Sequence, residues 1–567
     1  VKPVKKYLIF VLITFFLIFS EKVKASDINS YVNIVSPVRG RVHWQSIESV
    51  QKQIDLITDY QLPSTWLLQY DVINDVVASN LFSKLPANQE LGILLEVEEK
   101  LATDSYAAYM FGDGGWWRAD KVLLSGYEPD ERKRMIDRVF EAYKRVFGVY
   151  PVSVGAWYID TVSLNYIEDK YKIKTVLDVA DQYISDSYGL WGKPWGTPYY
   201  PSKLNSLLPA RDFAQKSNVV KIQWAARDPL HGYGLTTADS TFSVQANDYS
   251  SHHNLGIDYF RKLSDTYLFS PNSLSQLTVG IEAGQEGAAY YDEYKRQIQY
   301  LSDLEKGGKV KITTMAEFAQ IFNFQYPKKS PSYFLSGNDY ANSSIETYWY
   351  SSSFYRIGLI KKDGNLLIRD FRVYKTPFIY FDIYERDPNN TLKRIIPAKV
   401  DSSKDIKEQI LITEADNIQI ERKDENVTLI IVDKKGTKHQ LLLTETSVLF
   451  DKKKLYEEYN GGRQLDYFEN FLGKIIVEYW VNFPDAWFGG WRYSSINNKY
   501  YFGLMISPSS LIGFKSEFPF LGIYNFPFQV LTRFMSFPKL DIMKIISANF
   551  VNKINNSTIK LLENIQI

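Results

Sequence analysis

The sequence predicts an α/β fold: a (β/α) barrel of seven or eight units followed by an antiparallel β-sandwich. Short apolar, β-rich runs recur between residues 31 and 315, and helical periodicity follows most of them. Beyond Phe324, alternating strands and hairpin turns replace the helices, which predicts the sandwich. With 45% apolar and 23% charged residues, the chain of 567 residues has the composition of a folded protein with several domains.

The first 25 residues predict a secretory signal peptide. Basic Lys2, Lys5 and Lys6 precede the apolar run Tyr7–Ile18, which is shorter than the about 20 residues of a bilayer span. An uncleaved membrane anchor is the alternative, and either segment places the rest of the chain outside the cytoplasm. From this segment we expect a protein that is secreted or held at the cell surface or in the periplasm. Because cysteine is absent, such an exported protein has no disulfides, which indicates a prokaryote.

Composition also restricts partners and cofactors. The 66 basic and 65 acidic residues nearly balance, so no nucleic-acid partner is predicted. The five histidines show no helical pairing, so we predict neither a metal nor another cofactor. No phosphate-binding glycine loop and no Gly-x-Ser-x-Gly elbow occurs, which argues against nucleotide enzymes and serine hydrolases. The aromatic content of 15% suits platforms for sugar rings.

Eight runs share the β-rich composition of buried strands. They are Tyr31–Val38, Ser64–Tyr70, Leu91–Val97, Val152–Ile159, Thr175–Ala180, Val219–Ala225, Leu277–Glu282 and Lys309–Met315. Between the third and fourth runs, Met135, Val139, Tyr143 and Val146 form one apolar helical stripe, which Gly148 ends. Strands joined by such helices predict a parallel sheet, and this many units favour its closure into a barrel.

Functional side chains of parallel barrels lie at the carboxyl ends of the strands. Nearly every predicted strand ends at a carboxylate, and the following loops mix Trp and Tyr with planar polar residues, which suits an oligo- or polysaccharide. The predicted substrate-binding residues are Glu96, Trp157, Asp181, Gln182, Asp186, Trp224, Arg227, Asp228, Asn247 and Asp248. Helix capping or loop salt-bridging by the acids, and packing of the mouth by the aromatic rings, are the alternatives.

The strand order and three segments resemble the glycoside hydrolase/deacetylase (β/α)-barrel superfamily. The segments are VGAWYID at 154–160, GILLEVEEK at 92–100 and KITTMAEFAQ at 311–320, and the resemblance covers residues 30–325. In glycoside hydrolase family 57 of that superfamily, the catalytic carboxylates follow the fourth and seventh strands. The resemblance therefore implies Asp160 and Glu282 as the catalytic pair. Among the other acids at strand ends, Asp228 and Glu96 are the substitutes.

The reaction that we expect is that of a glycoside hydrolase or transglycosylase, since two carboxyl groups suffice to cleave a glycosidic bond. Polysaccharide deacetylases of the superfamily bind a metal through an Asp and two His and carry an Asp pair after the first strand. This chain has Arg39-Gly40-Arg41 there. A divergent metal-dependent deacetylase and a non-catalytic glycan-binding barrel remain the alternatives.

The second half of the chain predicts three further parts. Residues 327–333 contain Pro327 and Pro331 and predict a linker. Residues 334–530 predict the β-sandwich, with hairpin turns at Asp363-Gly364 and near Gly436. Residues 531–567 predict a tail to which the sequence assigns no role.

Overall fold

The computed structural model describes residues 28–457, with gaps at 45, 110–114, 116, 197, 341–342, 375–385, 397 and 404–408. The predicted signal peptide, the predicted tail and the part of the predicted sandwich beyond residue 457 lie outside the described residues. Within the described ranges, none of the helices combines the length and the apolar character that crossing a membrane requires.

The described residues before the sandwich contain ten strands. They are β1 (Ser30–Val38), β2 (Ser64–Leu68), β3 (Gln89–Leu94), β4 (Ser153–Gly155), β5 (Thr175–Val179), β6 (Gln182–Ser185), β7 (Tyr188–Trp191), β8 (Val220–Trp224), β9 (Ser275–Val279) and β10 (Lys311–Thr313). All except β6 and β7 belong to one parallel sheet. The eight predicted barrel strands are therefore confirmed, with ends that differ by a few residues.

Twelve helices are described around this sheet. They are α1 (Ile47–Asp59), α2 (Tyr70–Asn74), α3 (Val76–Phe82), α4 (Glu99–Asp104), α5 (Ala119–Val122), α6 (Pro129–Phe147), α7 (Thr161–Tyr171), α8 (Thr237–Ser240), α9 (Ile257–Leu268), α10 (Gln285–Ala289), α11 (Tyr291–Lys306) and α12 (Met315–Gln325). Short 3-10 turns at Arg41–His43 and Leu124–Gly126 and a π turn at Asp248–His252 complete this part.

Helix α6 shows how the sequence determines these elements. Pro129 begins the helix, and the side chains of Glu128 and Glu131 form a reciprocal capping box at its start. The predicted apolar stripe faces the barrel and is buried at Met135, Val139 and Tyr143. At the other end, Gly148 adopts a left-handed φ of 82° and its N–H bonds the Lys144 carbonyl at 2.8 Å.

The sheet is a nearly closed barrel. Its strand order is β9-β1-β2-β3-β4-β5-β8. Strand β10 pairs with the first half of β1, at Tyr31–Asn33, and β2 pairs with the second half of the same edge, at Val35–Val38. The carboxyl ends of all these strands therefore point to one face. We call this face the barrel mouth, and it is where the sequence predicts the functional site.

The described residues from Tyr333 to Glu457 contain twelve more strands. They are β11 (Tyr333–Asn338), β12 (Glu346–Ser351), β13 (Tyr355–Lys362), β14 (Asn365–Val373), β15 (Leu392–Ile395), β16 (Val400–Asp401), β17 (Gln409–Ile412), β18 (Ala415–Lys423), β19 (Asn426–Asp433), β20 (Lys438–Leu443), β21 (Ser447–Phe450) and β22 (Lys453–Glu457). Strands β11–β14, β16 and β17 form one antiparallel sheet, strands β18–β22 form a second, and apolar side chains of both share one core. The predicted sandwich class and both hairpins are confirmed.

Strands β6 and β7 form a hairpin that joins the barrel to the sandwich. Strand β15 adds to β7 in parallel, pairing Leu392 with Tyr188 and Ile395 with Trp191. Between the two domains, the rings of Trp195 and Trp349 stack with their centroids 4.3 Å apart. The sandwich thus supports one side of the barrel mouth.

A balanced set of buried charges crosses the same boundary. The four acids are Asp178, Asp181, Asp370 and Asp401, and the four bases are Lys193, Lys221, Arg356 and Arg372. Arg356 connects the two domains, since it lies 2.7 Å from Asp181 of the barrel and 2.8 Å from Asp370 of the sandwich. Buried charges are tolerated only when they are paired, so each of these residues depends on the others.

Replacing Arg356 by Met should therefore destabilise the protein strongly, because Asp181 and Asp370 would remain buried without their cation. We expect the free energy of unfolding, measured in urea, to fall by about 3–5 kcal/mol. Lys329→Met is the control: its pair with Glu445 is exposed, and its loss should cost less than about 1 kcal/mol. Equal and small losses of unfolding free energy in Arg356→Met and Lys329→Met would contradict the stabilising role of the buried Arg356 pairs.

Candidate active site

Arg39 follows β1 and lies between two carboxyl groups at the barrel mouth. Its Nε and Nη2 donate to Glu96 Oε2 and Oε1, both at 2.8 Å, and its Nη1 donates to Glu282 Oε2. Glu96 comes after β3 and Glu282 after β9. One guanidinium therefore connects side chains from the ends of three strands, because parallel strands bring distant parts of the sequence to one face.

Glu96 accepts two further hydrogen bonds from neighbouring side chains. Gln69 Nε2 donates to Oε2 at 3.2 Å, and Trp157 Nε1 donates to Oε1. Gln69 is itself oriented by the Gly40 N–H, which donates to its Oε1 at 3.0 Å. All four donors to Glu96 are N–H groups, so both of its oxygens act as acceptors and the position of the side chain is fixed.

Glu282 differs from Glu96 in exposure and in protonation. Its side chain is 25% exposed, whereas that of Glu96 is 1% exposed. Burial raises the pKa of Glu282 to about 7; the positive charge of Arg39 opposes this increase and the negative charge of Glu96 adds to it. Because one guanidinium neutralises only one of two carboxylates, the second is favoured in its protonated form. The site can therefore hold an ionised and a protonated carboxyl side by side near neutral pH.

A cleft of 620 Å³ opens beside Glu96, and the residues that follow β2 and β3 line it. Asp71, Glu98 and Tyr109 contribute side chains to its wall. Burial raises the pKa of Asp71 to about 6 and that of Glu98 to about 7, and the charge of Asp71 contributes to the increase at Glu98. Carboxyl groups that are partly protonated at neutral pH can both donate to and accept from hydroxyl groups.

Other predicted residues meet on the side of the hairpin β6–β7. Arg227 Nη2 donates to Gln182 Oε1, and its Nη1 lies 3.4 Å from Asp248 Oδ2. Asp186 is solvent-exposed at the hairpin turn; the surrounding protein raises its pKa, and the positive charge of Arg39 opposes the increase. The structure therefore brings Gln182, Arg227 and Asp248 together and places Asp186 within the field of Arg39.

Asn247 lies close to this group. Its Nδ2 donates to Glu286, whose Oε2 accepts the backbone N–H of Glu282 at 3.2 Å. Burial raises the pKa of Glu286 well above its ordinary value, and the charge of Glu282 adds to the increase. Asn247 therefore reaches Glu282 through Glu286.

The position of Asp160 does not fit the catalytic role predicted for it. Its Oδ1 and Oδ2 accept hydrogen bonds from the N–H and hydroxyl of Ser163, at 3.0 and 2.6 Å, which caps α7. Its Oδ1 also lies 3.1 Å from Arg132 Nη1, and both side chains are 0% exposed. Asp160 is sealed in this ion pair and does not meet Glu282. The carboxyl group that shares Arg39 with Glu282 is that of Glu96.

Three predicted substrate-binding residues are held in internal contacts. Asp181 pairs with Arg356, and Asp228 accepts two backbone N–H groups at 2.8 and 2.9 Å within its own turn. Trp224 is 4% exposed and donates to Gln245 Oε1 at 2.9 Å. These salt-bridging, turn-capping and packing roles are the alternatives that the sequence left open.

The substrate-binding residues predicted from the sequence did not include Gln69, Glu286 or His43. Gln69 directly follows β2. A search for functional side chains at the carboxyl ends of strands would therefore find it, if amides were considered as well as acids. Glu286 stands four residues after Glu282, one helical turn along the chain. His43 lines the cleft, and burial together with the charge of Arg39 lowers its pKa.

The residues of the mouth do not fit a metal ion. Among the described residues, no group of three or more His, Cys, Asp or Glu side chains is arranged to hold one. At the strand end where deacetylases of the superfamily carry an Asp pair, the guanidinium of Arg39 already binds Glu96 and Glu282. A positive charge there repels a second cation, which disfavours the metal-dependent alternative.

No protein-family model and no curated protein matches this chain. Similar solved structures include a glycoside hydrolase/deacetylase candidate from Parabacteroides distasonis, 14% identical, which covers 65% of this chain and 90% of its own with a TM-score of 0.48. A polysaccharide deacetylase candidate from Mycobacterium smegmatis is 13% identical, with 53% and 92% covered and a TM-score of 0.31. Peptidoglycan deacetylase PdaC from Bacillus subtilis is 9% identical, with 53% and 95% covered and a TM-score of 0.27.

These solved structures carry the names of the superfamily that the sequence resembles. Identities of 14% or less and TM-scores below 0.5 decide nothing about chemistry. The function must therefore follow from the residues at the mouth.

Replacing Glu98 by Gln should stabilise the protein at alkaline pH. A carboxyl whose pKa rises from 4.5 to about 7 on folding contributes stability that is complete below pH 4.5 and is lost as the pH rises through 7. The neutral amide avoids this loss, so at pH 8 we expect Glu98→Gln to unfold with a free energy on the order of 2 kcal/mol higher than the wild type. Below pH 4.5 the difference should vanish, and an equal difference in acid and at pH 8 would contradict the raised pKa.

Proposed function

We propose that this chain is a carbohydrate-active hydrolase that cleaves a glycosidic bond at the barrel mouth. The observation that carries the proposal is the sharing of Arg39 between Glu96 and Glu282. Glycoside hydrolysis needs one carboxyl that donates a proton and one that stays ionised, and this arrangement favours that division. The adjoining cleft of 620 Å³ offers room for sugar rings.

The two carboxyls would then divide the reaction. Protonated Glu282 gives its proton to the leaving glycosidic oxygen as the bond to the anomeric carbon breaks. Ionised Glu96 stabilises the positive charge that develops on the sugar ring. Water then adds its oxygen to the anomeric carbon and returns a proton to Glu282, which restores the starting state.

The remaining residues of the cleft would bind and orient the substrate. Asp71 and Glu98 line it with carboxyl groups that exchange hydrogen bonds with sugar hydroxyls. Gln69 and Trp157 hold Glu96 in position rather than touching the sugar. We place this activity outside the cytoplasm, on the basis of the signal peptide that residues 1–25 predict.

Glu282→Gln tests the proton donor. On the oligosaccharide that a glycan panel identifies as substrate, kcat should fall about 100- to 10,000-fold, because the leaving oxygen is no longer protonated. A dinitrophenyl glycoside of the same sugar, whose leaving group departs without a proton, should lose far less. Glu96→Gln should slow both substrates, whereas Asp59→Asn on the exposed face of α1 should change neither.

Three outcomes would contradict or redirect this proposal. Full turnover by both the Glu282 and Glu96 variants would contradict the assigned pair. Binding of glycans without any product would favour the non-catalytic barrel, and transfer of the sugar to a second sugar instead of water would identify a transglycosylase. Product analysis by mass spectrometry separates these results.

The pH dependence of kcat provides a second test. Since Glu282 must carry its proton, activity should decline as the pH rises through about 7, near the pKa of that group. The decline should be absent for the dinitrophenyl glycoside, which does not need the proton. An alkaline decline of equal size for both substrates would assign it to a group other than Glu282.

A further inference from the structure

An exposed tryptophan lies beside the turn of the hairpin β6–β7. Eight tryptophans fall within the described residues; seven are buried, while Trp117 is 43% exposed. An exposed indole forgoes the stabilisation that burial of its large apolar face would bring. Part of the indole of Trp117 is therefore open to contact with a ligand.

Trp117 lies two residues before α5, which ends at the cleft. Tyr109, which precedes it, and Val122, which follows it, both line the 620 Å³ cleft. The N–H of Val97, another lining residue, donates to the Val122 carbonyl at 2.9 Å and fixes this segment to the end of β3. Trp117 thus stands five residues before a residue that lines the cleft.

Two contacts hold Trp117 in place. The Ser187 hydroxyl donates to the Trp117 carbonyl, which ties it to the turn of the hairpin β6–β7 beside Asp186. The indole lies against Gly115: a Cβ at that position would come within 2.2 Å of Trp117 Nε1. Only glycine leaves this space free, so the ring rests on the backbone of its own loop.

We infer that Trp117 forms a sugar-binding subsite outside the cleft. The class of ligand is an oligosaccharide with at least one ring beyond those in the cleft, whose C–H face stacks on the indole. The choice of a sugar as ligand rests on the proposed function. The inference adds that the protein distinguishes long oligosaccharides from short ones. It requires no catalysis, so binding alone can test it.

The experiment measures oligosaccharide binding by calorimetry. It uses the Glu282→Gln protein, because this substitution prevents turnover of the probe. The probes are cello-, xylo-, malto- and chito-oligosaccharides of increasing length, from single sugars upward. We expect affinity to rise with length in at least one series, and Trp117→Ala to weaken the longer members about 3- to 10-fold while leaving the shortest binding member unchanged. Trp117→Phe should retain most of the affinity.

Two more variants separate a subsite from a general effect on folding. Gly115→Ala should displace the indole and weaken the same long oligosaccharides, although the tryptophan is still present. Phe324→Ala removes an aromatic ring that is 90% exposed on α12 and should change no affinity.

Hydrolysis and the subsite can fail independently. Loss of affinity that is equal for short and long members, unchanged affinity in Trp117→Ala, or no length-dependent binding in any series would overturn the subsite. Binding that depends on length and on Trp117, in a wild-type protein that releases no product, would support the subsite and overturn the hydrolase.

Discussion

The contact between the guanidinium of Arg39 and two carboxyl groups determines the character of the barrel mouth. Glu96 holds one side of this cation with two hydrogen bonds of 2.8 Å, and Glu282 contacts the other side. The contact links β1 with the ends of β3 and β9, so it orders the mouth as well as charging it. Since one positive charge faces two carboxyls, the site favours a retained proton without a metal ion.

The sandwich supports this mouth from the side. Asp181 stands just before the hairpin β6–β7 and Lys193 just after it, and Arg356 Nη1 donates to Asp181 Oδ2 at 2.7 Å and to the Lys193 carbonyl at 2.6 Å. One arginine of the sandwich therefore fixes both ends of a barrel hairpin. That hairpin places Asp186 near Arg39, which connects the packing of the second domain with the electrostatics of the site.

Much of the fold follows from the sequence because periodicity and turn chemistry are local. The eight barrel strands, the stripe of α6 and the hairpin at Asp363-Gly364 were all predictable from neighbouring residues. The expectation that functional side chains follow the carboxyl ends of parallel strands also selected Glu96 and Glu282. It failed at Asp160, because the same position after a strand serves equally well as a helix cap, and its partner Arg132 comes from another helix. No local pattern reveals such a partner.

Direct observation of the Glu282 proton tests the account most simply. Infrared difference spectra between the wild type and Glu282→Gln isolate the carbonyl stretch of the protonated Glu282 carboxyl. We expect this band to be present at pH 6 and to disappear as the pH rises through about 7. A Glu282 that is fully ionised at pH 6, titrating near the ordinary glutamate value of 4.5, would show that Arg39 neutralises both carboxyls and would contradict the account.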